Sequence, residues 1–143
     1  MIEIKEFSYK PADVEAEKAS NAYVMSLVAL MAGLPLPIVN LLATLLFFLN
    51  NLKSGGFVKW HCTQALLSQL AVFLMNSTAI IWTLSILFRD VDVTNNFIAY
   101  IITAFIFNLI EFVATIIAAV YTRKGKHVEW WFFSSIANSF QNK

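Results

Sequence analysis

Charge is scarce in this sequence. Only 13% of its residues are Asp, Glu, Lys or Arg, about half the ~25% usual in a soluble domain. Cysteine is scarcer still. Cys62 stands alone, which excludes an internal disulfide and leaves the redox compartment open. The glycines form no phosphate-cradling loop, and the Gly55-Gly56 pair reads as a turn before a helix. Neither sign of charge dominates. A net charge of +1 supplies no electrostatic motive for a nucleic-acid partner. Residues Met1 to Ser20 lack an apolar core flanked by a cleavage signal, so the first hydrophobic segment is expected to serve as the insertion signal and stay in place.

What is present is apolar: 59% of the residues are hydrophobic and 15% aromatic. No charge falls between Lys18 and Lys53 or between Lys59 and Arg89, and only Glu111 falls between Asp92 and Arg123. Each gap exceeds the ~20 apolar residues that cross a bilayer core of ~30 Å. The sequence therefore predicts an all-α integral membrane protein with a membrane domain over 22–122 in three hydrophobic segments, 22–49, 57–88 and 97–121. The first is broken at GLPLP by Gly33, Pro35 and Pro37, where proline removes amide donors and clashes with the preceding turn. It is either one kinked span or two short helices turning back, giving three spans or a four-helix arrangement. Before it, residues 1–21 form a polar arm with a short extended start and a helix. After the third segment, residues 123–143 hold the basic stretch TRKGKH and an aromatic tail. That tail reads as an interfacial amphipathic helix, anchored with Trp60 by Trp130, Trp131 and Phe133.

Lysine and arginine placement sets the orientation. Lys53 and Lys59 flank the first loop, Arg123, Lys124 and Lys126 follow the third segment, and Arg89 in the second loop is offset by acids. The first loop and the C-terminus are thus expected on the cytoplasmic side of a bacterial inner membrane. Lys5, Lys10 and Lys18 favour the turned-back arrangement at GLPLP, whereas the shortness of its arms opposes it.

Ionisable groups inside a span are costly and mark function by default. Glu111 is the clear case. Asn108, Glu111 and Thr115 share one face of the third segment, and His61, Gln64 and Ser68 share one face of the second. Two such stripes are expected to face each other, with Glu111 level with Ser68, Gln64 level with Thr115, and His61 apart near the interface. Packing is the plainer reading of Gln64, Ser68, Asn108 and Thr115; a polar path or a partner contact is the sharper reading of Glu111. His61 and Cys62 are adjacent and point ~100° apart on a helix, which argues against Cys–His catalysis. A metal site falls short of ligands because His127 joins only by folding back. No metal, cofactor or enzymatic activity is expected.

The helix entry FVKWHCTQAL, with Phe57, Val58, His61, Gln64, Ala65 and Leu66, resembles the Tic-twenty-like membrane proteins, bacterial relatives of a chloroplast inner-envelope translocon subunit. The proline-broken first segment and the exit IIAAVYTRKGKHVEWW agree with it over Ala22 to Trp131. The chain departs from that pattern in Gly125-Lys126 and in ending Trp130-Trp131 without proline. The resemblance implies a link to protein translocation. The function expected is a non-enzymatic accessory or structural subunit of a larger membrane complex, with lipids and other membrane subunits as partners. The alternative is a homo-oligomeric channel or small-solute transporter with its path around Glu111.

Overall fold

Apolar periodicity and capping place the helices, and a long-range strand pair ties the two ends of the chain together. The computed structural model describes residues 2–28, 37–89 and 92–141. Among them the order is β1 (Ile2–Lys5), α1 (Asp13–Met25), α2 (Pro37–Asn50), α3 (Gly56–Arg89), α4 (Asn95–Arg123), β2 (His127–Trp130) and α5 (Trp131–Gln141).

Helix α1 starts where Glu15 reaches back. Its carboxylate accepts from the Ala12 amide at 3.2 Å and from the Tyr9 hydroxyl at 3.1 Å, closing free amides at the helix start. Small residues Ala16, Ala19, Ser20 and Ala22, with Tyr23, form its buried face. They let α1 lie closely along α3 and α4. Pro37 opens α2, a position where its missing amide costs nothing. Ser26 Oγ lies 3.3 Å from Thr44 Oγ1, and Tyr9 OH accepts from the Phe57 amide at 3.3 Å just beyond α2. Helices α1 and α2 therefore run antiparallel. Gly33 and Pro35 of the expected break lie outside the described residues. At the turn into α3, a Cβ on Gly55 would stand 2.0 Å from Glu15 Oε1, so a larger residue there would displace the Glu15 carboxylate.

Among the described residues two helices, α3 and α4, are long and apolar enough to cross a membrane. The expectation of three spans is narrowed accordingly. Helix α2 has 14 residues, or ~21 Å at 1.5 Å per residue, short of the ~30 Å core. Thr94 caps α4 by accepting from the Phe97 amide at 3.2 Å. At its far end Gly125, with φ +75°, closes the turn, its amide donating to Thr122 O at 2.9 Å.

β1 and β2 pair antiparallel, Ile2 opposite Trp130 and Lys5 opposite His127. The aromatic tail thus begins as a strand: Trp130, expected on the amphipathic helix, belongs to β2, and the helix starts at Trp131. The ribbon and α5 fold back over the start of α3. Together with α1 and α2 they build a head whose core includes Tyr23, Val58, Cys62, Ala65, Ala118 and Val128. The rest of α3 and α4 projects from it as a bare hairpin. Ion pairs Arg123–Glu17 (3.3 Å) and Lys126–Glu6 gather the N-terminal arm and the end of α4 at the same end of the molecule.

Candidate functional site

Three polar groups follow one another along α3: the first, buried, meets α1 and β2, the second, also buried, meets α4, and the third, half-buried, meets α4 further along. The first lies in the head. His61 Nδ1 is 2.7 Å from the Tyr23 hydroxyl, and His61 Nε2 is 3.2 Å from His127 Nδ1. His127 Nε2 is in turn 3.2 Å from Glu129 Oε1, whose other oxygen accepts from Lys5 Nζ at 2.8 Å. Gln64 completes the group. Its Nε2 donates to Tyr23 OH at 2.9 Å and to Val128 O at 3.0 Å, and its Oε1 accepts from the Trp130 amide at 3.0 Å. Tyr23, His61 and Gln64 are all fully buried. Burial pushes the His127 imidazole below its ordinary range, with the Glu129 carboxylate opposing that shift.

The second group is centred on Glu111. Its Oε1 accepts from Ser68 Oγ, from Gln69 Nε2 at 3.1 Å and from Thr115 Oγ1 at 2.8 Å. The third is a reciprocal amide pair. Asn76 Nδ2 donates to Asn108 Oδ1 at 2.8 Å and Asn108 Nδ2 to Asn76 Oδ1 at 2.7 Å.

Ser68, Glu111 and Thr115 therefore meet as the stripes predict, while Gln64 turns away from Thr115 to β2. His61, expected apart from the stripe contacts, packs against the folded-back chain. It is fully buried because the chain does fold back and stacks His127 and Trp60 around it, with ring centroids 5.0 Å away in both cases. Trp60 and Trp130 are likewise buried rather than lipid-facing. The Trp60 indole donates to Asn138 Oδ1 of α5 at 2.7 Å, and Trp130 packs 5.8 Å from the rings of Tyr23 and Phe133. Ala65 is buried in the core and Leu66 half-buried beside it. Trp131 opens α5.

Sequence reasoning missed Tyr23, Gln69, Asn76 and Glu129. Asn76 carried a usable signal as a lone amide within an apolar run. Tyr23 carried none, since it reads as the edge of a hydrophobic segment. Among the described residues no cluster of three or more His, Cys, Asp or Glu is arranged to hold a metal ion. The two facing imidazole nitrogens are a pair only, and Glu129 occupies the far nitrogen of His127.

A family model described as the magnetosome magnetite crystal formation protein family, MamF/MmsF, matches residues 18–137. The chain belongs to that family. The match runs from α1 into α5 and contains all three polar groups except Lys5. It overturns the Tic-twenty-like resemblance, and the expected link to protein translocation falls with it. The motif that carried the resemblance is explained by packing: His61 and Gln64 bind β2, and Ala65 leaves room in the core. Such a short helix-entry element is a poor mark of family. Searches of the curated proteins and of the solved structures each returned no match.

Proposed function

We propose that this MamF/MmsF family member is a magnetosome membrane protein that takes part in magnetite crystal formation as a structural component rather than as a catalyst. The observation that carries the reading is the family match across residues 18–137. Two apolar helices of spanning length support the membrane location. The non-catalytic part is supported by how the buried ionisable groups are used. Glu111 is held by Ser68, Gln69 and Thr115, and the histidines by Tyr23, each other and Glu129. With three side chains of α3 and α4 bonded to its Oε1, Glu111 serves the contact between these helices. Lysine and arginine placement supports an orientation with the α2–α3 turn and the C-terminus facing the cytoplasm.

The test is deletion in a magnetite-forming bacterium, with crystals sized by electron microscopy. Fewer or smaller crystals are expected, restored by the wild-type chain and by Glu111→Gln at equal abundance. Unchanged crystals would sink the role. Failure of Glu111→Gln to restore them, with the protein abundant in the membrane, would sink the non-catalytic reading. Stable co-purification of other magnetosome membrane proteins is the expected sign of a structural partner.

A further inference from the structure

The His61–His127 pair belongs to a chain of hydrogen bonds whose direction is fixed at both ends. Gln64 Nε2 can only donate, so Tyr23 oxygen accepts from it. The Glu129 carboxylate, bonded to Lys5 through its other oxygen, accepts from His127 Nε2. Between these ends only one arrangement satisfies every contact. Tyr23 O–H donates to His61 Nδ1, and His61 Nε2–H donates to His127 Nδ1. His127 Nε2–H then donates to Glu129. Both histidines are neutral, each with its proton on Nε2. The links Gln64–Tyr23, Tyr23–His61, His61–His127 and His127–Glu129 hold one hydrogen apiece.

An additional proton has no place in this chain. On His127 Nδ1 it points at the His61 Nε2–H. Shifting the His61 hydrogen to Nδ1 relieves that clash but leaves the Tyr23 hydroxyl hydrogen without an acceptor. Tyr23 is fully buried, and a buried donor without a partner costs about 1–3 kcal/mol. The chain does not conduct protons onward, because it ends on an amide. It does hold something in place: the same Gln64 and His61 that order it also bind β2.

We propose that the His61–His127 pair is a proton-sensitive latch, closed when both rings are neutral, that fastens the β1–β2 ribbon and helix α5 to α3. Protonation opens it, and the ribbon with α5 leaves the head. The charged and titratable groups around the pair are few. β1 presents Glu3 and Lys5, β2 presents Glu129, α1 presents Tyr23, and α3 carries Cys62 beside His61. Of these, Glu129 and Lys5 act on His127 by charge. α2 and α5 contain no titratable side chain.

The direction follows from His127. Docked, it is held below the ordinary range by burial; released into water it returns to about 6.5. The open form thus takes up a proton more readily than the closed one. Docking is complete above about pH 6.5 and weakens as the pH falls below it. By pH 5.5 the open population rises about tenfold for one proton taken up and about a hundredfold for two.

The experiment is hydrogen exchange on the full chain in lipid nanodiscs at pH 7.5 and 5.5, expressed as protection relative to each amide's intrinsic rate. Protection over 128–141 is expected to fall at least tenfold at the lower pH, while that over 99–110 in α4 stays constant. Equal protection of 128–141 at both pH values would overturn the proposal. His127→Gln keeps a donor and an acceptor without titrating, and the double change with His61→Gln should abolish the pH response. A response that survives the double change would also overturn it. Nitrogen NMR of the imidazole rings serves even if these variants do not fold. It should show both rings neutral with hydrogen on Nε2 at pH 7.5. A protonated His127 within a still-protected ribbon contradicts the latch. None of these outcomes depends on the magnetite reading.

Discussion

At the scale of single residues, Glu111 shows why a carboxyl group inside an apolar helix can be stable. Three donors from two helices converge on one of its oxygens. Removing one donor is mild: Ser68→Ala should cost about 0.6–2 kcal/mol, the range of single hydrogen bonds between membrane helices. Glu111→Ala should cost more than any single donor change, because Ser68, Gln69 and Thr115 then all face a void, and each unpartnered buried donor costs about 1–3 kcal/mol. Unfolding in mild detergent checks the order, and equal losses for the two variants would contradict it. Gly125 is a different kind of residue. Its φ of +75° is unfavourable for any residue with a Cβ, so Gly125→Ala should lower stability by about 1–2 kcal/mol. That loss should appear as an earlier unfolding midpoint with an unchanged helix content.

At the scale of elements, the ribbon is the least self-sufficient part of the molecule. A two-stranded hairpin is marginal alone, and each strand here has four residues. β2 is therefore bonded on both edges. β1 pairs one side, and the Gln64 amide serves the other, donating to Val128 O and accepting from Trp130 N. Gln64→Leu keeps the volume but leaves both backbone groups unpartnered. It should expose residues 127–130 to exchange while the α3–α4 contacts persist, and undiminished protection there would refute this role. The same feature explains what the sequence could and could not reveal. The long helices were legible from uninterrupted apolar runs, and the α3–α4 hairpin from the polar turn RDVDVTNN between them. Ser68 and Glu111 were legible because helical spacing and antiparallel register set their level. The ribbon was not, because four-residue strands carry almost no periodic signal and their pairing joins residues 2–5 to 127–130. For the same reason the pairing of His127 with His61 was invisible. It depends on a contact that neither helix specifies.

At the scale of the whole molecule, the bare part of the hairpin has a definite height. Exposed apolar side chains run from Leu70 to Phe88 on α3 and from Ile98 to Tyr121 on α4. At 1.5 Å per residue the stretches are ~27 Å and ~35 Å long, on either side of the ~30 Å hydrocarbon core. The head stands at one end of that band. Nitroxide labels at Ile81→Cys and Phe105→Cys, both strongly exposed sites, should be reached by oxygen and not by a water-soluble relaxing agent in nanodiscs. Ready access of the aqueous agent to either would refute this placement. Such labelling needs no background removed, because the one native thiol, Cys62, is 1% exposed within the head core. That burial makes Cys62 a stopwatch. It reacts with a reagent only while the head is apart, so its labelling rate, divided by that of a free cysteine peptide at the same pH, times how often this molecule comes undone.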